Sequence, residues 1–375
     1  MPKLLLVTGE ASGDVHGAQL ARALRELEPS ITLVGVGGGH MAQAGVQLLP
    51  HIARVDAMGV PGFQQLWAGW KTLRQLSTVV KHTRFDAIVL IDSPGMNLRL
   101  AKAAAKSSQR IIYYIAPQVW AWGRRRLHLI RKVIKRILAI LPFEESYFRK
   151  EGIECDYVGH PLLDELEESY DGRQSRQVLG LKSEKMVVGL LPGSRTKEVQ
   201  TLLPVFLESF HIIQRQYPES QCILAQADSI PDSLLEPLLR GFSFVKRFKG
   251  KSSEVMAASD LVLVASGTAT LQAALIGTPM IVVYRTSRLT YQIGKRLVTI
   301  PYIGLVNILA GAALVPEILQ ERATAQNIAQ EALVLIGDST RQHVMKEKFQ
   351  VLRKSLGSPG ASRRAAEIIL AEIRL

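Results

Sequence analysis

At 375 residues and 41.4 kDa, with 47% apolar and 21% charged residues, the chain is too long for one small domain and too apolar for disorder or a fibre. Its 46 Lys and Arg against 33 Asp and Glu leave a net charge of +13, which favours a phosphate-bearing partner, either nucleic acid or an anionic membrane surface. Two cysteines, Cys155 and Cys222, are too few for a disulfide scaffold or a cysteine metal site and point to a reducing compartment.

Taken in order, the chain alternates strand, loop and helix. Leu4–Thr8 reads as a short buried strand; its apolar run is too short for a signal peptide, so a cytoplasmic start is expected. A helix is expected over Val15–Leu27, with Leu20, Ala23, Leu24 and Leu27 at helical spacing. Further strands are expected at Ile31–Val36, Ala87–Ile91 and Ile111–Ile115. Strands this apolar, alternating with helices, belong in parallel sheets covered on both faces. The charge-rich stretch Asp164–Lys185 marks a domain boundary, after which strands resume at Val187–Leu191, Cys222–Ala225, Leu261–Ala265 and Met280–Tyr284. Gly357-Ser358-Pro359-Gly360 then breaks the chain before a last helix. The expected fold is therefore α/β: two Rossmann-like doubly wound domains facing a cleft, at 1–165 and 166–355, with residues 356–375 as a terminal helix packed on the first domain or on a partner chain.

Ligands in open parallel sheets bind beyond the carboxyl ends of the strands, so the strand-end loops carry the information. The first, Gly9-Glu10-Ala11-Ser12-Gly13-Asp14, is not GxGxxG, and its two carboxylates suit sugar hydroxyls or amides better than a pyrophosphate. The plainer reading is a tight turn with Asp14 near a helix start. Asp92, at the end of the third strand, is placed to take a proton from an attacking hydroxyl, or else serves as a turn residue. In the second half, Leu191-Pro192-Gly193-Ser194-Arg195 runs from strand into helix and offers free N–H groups beside a guanidinium, an anion site fit for a diphosphate. Ala265-Ser266-Gly267-Thr268 repeats that arrangement. No Asp-x-Asp, paired-histidine or Cys-x-x-Cys pattern is present, so no metal is expected. His16 and His160 read as structural, and Lys197 and Glu198 as first-turn helix residues.

Lipid contact is the reading of two segments. Val60, Phe63, Trp67 and Trp70 share a helical face near Lys71 and Arg74, as in a helix lying in a bilayer interface; the alternative is a core-facing helix. Arg124–Arg136 holds seven cations in thirteen residues around an apolar stripe, preceded by Trp120 and Trp122, and suits a headgroup, a substrate phosphate or acidic lipid. Two uncharged stretches raise the question of a membrane span. Leu261–Tyr284 reads as strand, loop, helix, turn and strand; Leu297–Pro316 is interrupted by Pro301, Gly304, Asn307 and Gly311.

The runs GEASGD (9–14), IDSPGMN (91–97), PQVWAW (117–122), LPFE (141–144), VGHPL (158–162), LPGSR (191–195), ASGTATL (265–271) and VNILAG (306–311) together resemble the bacterial lipid-A-disaccharide synthase family, in order and over nearly the whole chain. The resemblance implies a metal-independent, cofactor-free, inverting glycosyltransferase of GT-B architecture. It would join UDP-2,3-diacylglucosamine to 2,3-diacylglucosamine 1-phosphate through a β-1,6 link and release UDP. By that resemblance Asp92 is the general base. Glu10, Ser12, Gly13, Asp14, Trp120, Trp122, Arg124 and Arg125 lie on the acceptor side. Gly193, Ser194, Arg195, Ser266, Gly267, Thr268, Gln272 and Asn307 hold UDP, and Val60, Phe63, Trp67 and Trp70 meet the membrane. The chain departs from the family at Gln272, where a Glu meets the ribose hydroxyls. A cytoplasmic enzyme resting peripherally on the anionic inner membrane is implied, with room for a homodimer. The competing readings are a peptidoglycan-precursor transferase or a UDP-N-acetylglucosamine 2-epimerase, the latter having no use for the Phe63–Trp67–Trp70 face. Nucleic acid is not expected, since no RNA-binding strand motif or recognition helix is visible.

Overall fold

Nearly continuous apolar runs become the central strands of two parallel sheets. The computed structural model describes residues 1–50, 52, 63–287, 291 and 300–374, with the backbone alone at residue 11 and over 63–69. The described chain divides into two units, Met1–Glu165 with Leu356–Leu375, and Leu166–Ser355.

In the first unit the strands are β1 (Lys3–Thr8), β2 (Thr32–Val36), β3 (Gln47–Leu48), β4 (Ala87–Ile91), β5 (Ile111–Tyr114), β6 (Arg136–Ala139) and β7 (Cys155–Tyr157). They form one sheet of order β3-β2-β1-β4-β5-β6-β7, and every pairing is parallel. Between them run α1 (Ala11–Leu27), α2 (Gly39–Gln43), α3 (Phe63–His82), α4 (Pro94–Ala104), α5 (Arg126–Val133), α6 (Pro142–Lys150) and α7 (Leu162–Glu165). The two-residue alternation of a strand sorts its side chains between two cores. Leu5, Val7, Ile88 and Leu90 join one apolar cluster, while Leu4, Leu6, Val89 and Ile91 join the other. Burying each such side chain contributes about 1.5–3 kcal/mol, so strands buried on both faces dominate the stability of the unit.

The second unit repeats the plan with β8 (Val187–Leu191), β9 (Gln221–Gln226), β10 (Val245–Lys249), β11 (Leu261–Ala265), β12 (Met280–Tyr284) and β13 (Glu317–Leu319), in the order β10-β9-β8-β11-β12-β13. Its described helices are α8 (Gly172–Val178), α9 (Thr196–Gln216), α10 (Asp232–Leu239), α11 (Ser252–Ala258), α12 (Thr268–Ile276), α13 (Leu305–Ala310), α14 (Ala325–Gly337) and α15 (Ser339–Ser355). The chain then returns to the first unit as α16 (Ala361–Arg374). This helix packs on α1 of its own chain and buries Ala365, Ala366, Ile369 and Leu370 in the core shared with Leu4 and Leu6. Asp164 caps its start, accepting from the backbone N–H groups of Gly360, Ala361 and Ser362.

Two sequence expectations change, and one holds. The first helix begins at Ala11, so Ser12, Gly13 and Asp14 lie in its first turn rather than in a loop. The basic Arg124–Arg136 segment is not one element: α5 stops at Val133, and Arg136 opens β6. Its charge is also partly neutralised, since Arg124 and Arg131 pair with Glu151 at 3.2 Å, and Arg136 binds Asp156 at 2.6 Å and Glu372 at 2.9 Å. Among the described residues no helix is long and apolar enough to cross a membrane; Leu261–Tyr284 is β11, α12 and β12, and 297–299 lie outside the described residues.

Candidate active site

At the first unit's strand ends, neighbouring strands β1 and β4 bring two sequence motifs together. The Gly9 N–H donates to Ser93 Oγ at 3.0 Å, tying the start of α1 to the β4–α4 turn. Gly13 is required by close approach: a Cβ there would come within 1.9 Å of Thr8 Oγ1. Asp92 and Ser93 both adopt left-handed backbone conformations, φ 50° and 48°, a strain of about 1–3 kcal/mol per residue that persists only where the surroundings enforce it. Those surroundings are explicit. The Asp92 carbonyl accepts from Asn97 Nδ2 and from Tyr113 Oη, each at 2.7 Å. Burial, and secondarily the Asp92 charge, hold the Tyr113 phenol well above its ordinary range, so it stays a donor. The half-buried Asp92 side chain thus stands on a turn whose backbone is locked from two sides.

The other expected acceptor residues divide. Glu10 is half-buried and Ser12 exposed at the start of α1. Asp14 is only 2% exposed, and its oxygens accept from the N–H groups of Gly38, His40 and Met41 at 2.6–3.2 Å. It clamps the β2–α2 turn, because three converging backbone donors outcompete solvent for it. Trp120 is likewise turned inward, donating to Glu144 at 2.9 Å, whereas Trp122 is exposed with the Arg126 guanidinium 4.4 Å from its ring centroid. Arg124 and Arg125 are exposed in the same β5–α5 loop.

The second unit's strand ends carry helix N-termini. Gly193, at φ 111°, makes the turn from β8 into α9, and a Cβ there would meet Glu198 at 2.5 Å. Ser194 and Arg195 are exposed, and Arg195 Nη1 pairs with Glu198 Oε1 at 2.9 Å in the first turn of α9. At β11, Ser266 Oγ donates to the Ile303 carbonyl at 3.0 Å, while Gly267 and Thr268 are exposed at the start of α12. Gln272, further along α12, donates to Ser253 Oγ at 3.0 Å. Asn307 is fully buried: it bonds the Val315 backbone in both directions at 2.9 Å and donates to Glu317 Oε1. It is an inner bolt of the 303–307 turn.

Sequence reasoning missed Glu317, which accepts from Ile303 N, Gly304 N and Asn307 Nδ2 and so fixes the turn that Ser266 touches. Its partners lie ten to fourteen residues away, at no periodic spacing. Asn97 stood in a quoted motif, yet its role as a carbonyl lock was not legible there. Val60 lies outside the described residues, as do the side chains of Phe63 and Trp67. Trp70 is 55% exposed on α3, with the Arg74 guanidinium 5.5 Å from its ring, while Thr72, Leu76 and Val80 are buried. Among the described residues no three His, Cys, Asp or Glu form a group able to hold a metal ion.

Residues 4–371 match the family model described as lipid-A-disaccharide synthetase. The chain belongs to the lipid-A-disaccharide synthase family. It is 38% identical over 374 residues to the lipid-A-disaccharide synthase of Syntrophus aciditrophicus, covering 99% of this chain and 98% of that one. It is 37% identical to that of Geobacter metallireducens, covering 98% and 96%. As a member of the lipid-A-disaccharide synthase family it is a hexosyltransferase. Solved structures share the fold at far lower identity. One is a UDP co-structure of S. aureus MnaA, with TM-score 0.69, 14% identity, and 100% of this chain and 98% of that one covered. Another is UDP-GlcNAc 2-epimerase from Neisseria meningitidis bound to UDP-GlcNAc, with TM-score 0.68, 14% identity, and 98% and 100% covered.

Proposed function

We propose that the chain moves a 2,3-diacylglucosaminyl group from UDP to the 6-hydroxyl of 2,3-diacylglucosamine 1-phosphate. Asp92 takes the hydroxyl proton as the new C1–O6 bond forms; the C1–O bond to the diphosphate breaks, configuration inverts, and UDP leaves with the electron pair. The backbone N–H groups at the starts of α9 and α12, with Arg195, offset the charge that develops on the diphosphate. The observation that carries the reading is Asp92 itself: a carboxylate at a strand end, on a doubly locked left-handed turn, in a chain of this family.

Substrates with two acyl chains reside in a membrane, and the outward face of α3 suits that source. Trp70 with the stacked Arg74 presents an aromatic ring and a cation side by side, and Lys71 adjoins them. A peripheral position on the anionic cytoplasmic leaflet follows from this reading.

The test is UDP release by purified protein, with acylated donor, in the presence and absence of the acylated acceptor phosphate. Release that depends on the acceptor and yields a disaccharide phosphate supports the reading. Turnover of unacylated UDP-N-acetylglucosamine alone sinks it and favours epimerase chemistry.

A further inference from the structure

The run Leu141–Glu144 has no part in the transfer chemistry, yet it holds a carboxylate that is only 1% exposed. Glu144 sits in the first turn of α6, directly after β6. Its Oε1 accepts from Trp120 Nε1 at 2.9 Å and its Oε2 from the Leu141 N–H at 3.1 Å. The Trp120 ring also meets Phe143 edge-on, with centroids 4.8 Å apart and planes at 86°. One side chain therefore bolts the start of α6 to the middle of the β5–α5 loop.

Beyond that bolt the loop is short and tightly turned. Val119 N bonds Pro117 O, and Ala121 N and Trp122 N both bond Gln118 O, before Gly123 reverses the chain at φ 79°. The tip that results exposes Trp122 and Arg125, with the half-buried Arg126 at the start of α5 against the Trp122 ring. An ordinary packing contact between α6 and the loop needs no charge, and a buried carboxylate held by neutral donors is a costly way to make one. Burial pushes the Glu144 carboxyl up to about 7, against the opposing pull of the Trp120 and Leu141 donors. What the carboxylate adds over an apolar contact is direction: two acceptors at fixed separation set both the height and the rotation of Trp120.

We propose that Glu144 is a positioning residue for the acceptor, holding the β5–α5 loop so that Trp122, Arg125 and Arg126 meet a sugar-phosphate headgroup. This rests on the reading of that loop as part of the acceptor side.

Two variants of the full chain test it, Trp120→Phe, which keeps the ring and removes the donor, and Glu144→Gln, which keeps the shape and removes one acceptor. Each is expected to raise KM for the acceptor phosphate about tenfold while changing donor KM and kcat less than about threefold. The double variant should be no more than about twofold worse than the poorer single one, because both act on the same Trp120–Glu144–Leu141 clamp. A readout independent of turnover is acrylamide quenching of tryptophan fluorescence in a chain whose Trp67 and Trp70 are Phe, which leaves Trp120 and Trp122 as reporters. In that background Glu144→Gln should raise the quenching constant. Unchanged acceptor KM in both single variants, or quenching indifferent to Glu144→Gln, overturns the proposal. Should Glu144→Gln lose its far-UV circular dichroism, Trp120→Phe alone decides through the split between acceptor and donor KM. Should the unaltered enzyme show no acceptor-dependent UDP release, the functional reading fails, while the quenching result still reports on the clamp.

Discussion

The strand ends of the two units solve the same problem with opposite materials. In the first, acids do the holding: Asp14 ties the β2–α2 turn, Glu144 the β5–α5 loop, and Asp92 stands on a turn fixed by its own carbonyl. In the second, the turns that open α9 and α12 leave Ser194, Gly267 and Thr268 exposed, and the carboxylates nearby, Glu198 and Glu317, are occupied by Arg195 and by backbone donors. One set of loops is thus pinned by carboxylates around Asp92, and the other exposes helix starts beside a guanidinium. The difference teaches that a sheet's carboxyl edge has no fixed chemistry. The side chains that pin its turns decide whether it receives protons or anions.

The sharpest way to break this contrast is Asp92→Asn, which removes the acceptor and keeps the turn. It should lower kcat about 10²–10⁴-fold with donor binding retained; a change confined to donor KM would move the base elsewhere. On the other side, Arg195→Ala should cut kcat/KM about a hundredfold without altering the melting temperature by more than a degree or two. Wild-type kinetics in that variant would take Arg195 out of the donor site. Asp14→Ala probes holding rather than chemistry. It leaves three backbone donors in the β2–α2 turn to be rehydrated and should destabilise the protein by about 2–3 kcal/mol in urea. A stability equal to wild type would mean that solvent replaces the carboxylate at no penalty.

The pH dependence separates two buried histidines from a buried carboxylate within the first unit. Burial lowers His16 to about 4 and His160 to about 3, so the native state binds fewer protons than the unfolded chain below about pH 6.5. Their contribution is intact above 6.5 and is lost as pH falls toward 4 and 3. Glu144 runs the other way. Its folded value of about 7 lies above the unfolded 4.5, so its contribution is full below 4.5 and is lost as pH rises through 7. Thermal melts should show His160→Asn flattening the acid limb and Glu144→Gln flattening the limb between pH 5 and 8. An acid limb that His160→Asn leaves unaltered would move that titration to other groups. The smallest effect is expected for Gln272→Glu. The Ser252 and Ser253 hydroxyls now accept from Gln272 and are able to donate to a carboxylate, so the fold should tolerate the change and donor KM should fall about threefold. A rise would mean that the amide suits this chain's donor better.

Much of the fold was legible because the signal was local. The strands Val187–Leu191, Leu261–Ala265 and Met280–Tyr284 are unbroken apolar runs ended by Gly, Ser or Pro nearby, and they occur at those residues. The start of α1 was misread because Gly13 resembles a loop glycine. Its place is inside the helix, where the approach to Thr8 across the strand–helix junction, not a loop turn, requires glycine. The apolar stripe read across Arg124–Arg136 is divided between two elements: Leu127, Ile130, Ile134 and Ile137 keep helical spacing even though Ile137 belongs to β6. The site was legible as motifs but not as roles. Asp14, Trp120 and Asn307 stand in the expected runs, yet each is committed to a partner 8–27 residues away that no spacing rule names.

The return of α16 to the first unit has a consequence for how the chain is made. Residues 166–355 form a unit inserted within another, and Ile369 and Leu370 complete a core begun by Leu4 and Leu6. During synthesis the inner unit has every segment it needs while the outer one still lacks a wall. The helix that completes this wall emerges only after the whole of the inner unit, so the first unit to begin emerging is the last to close.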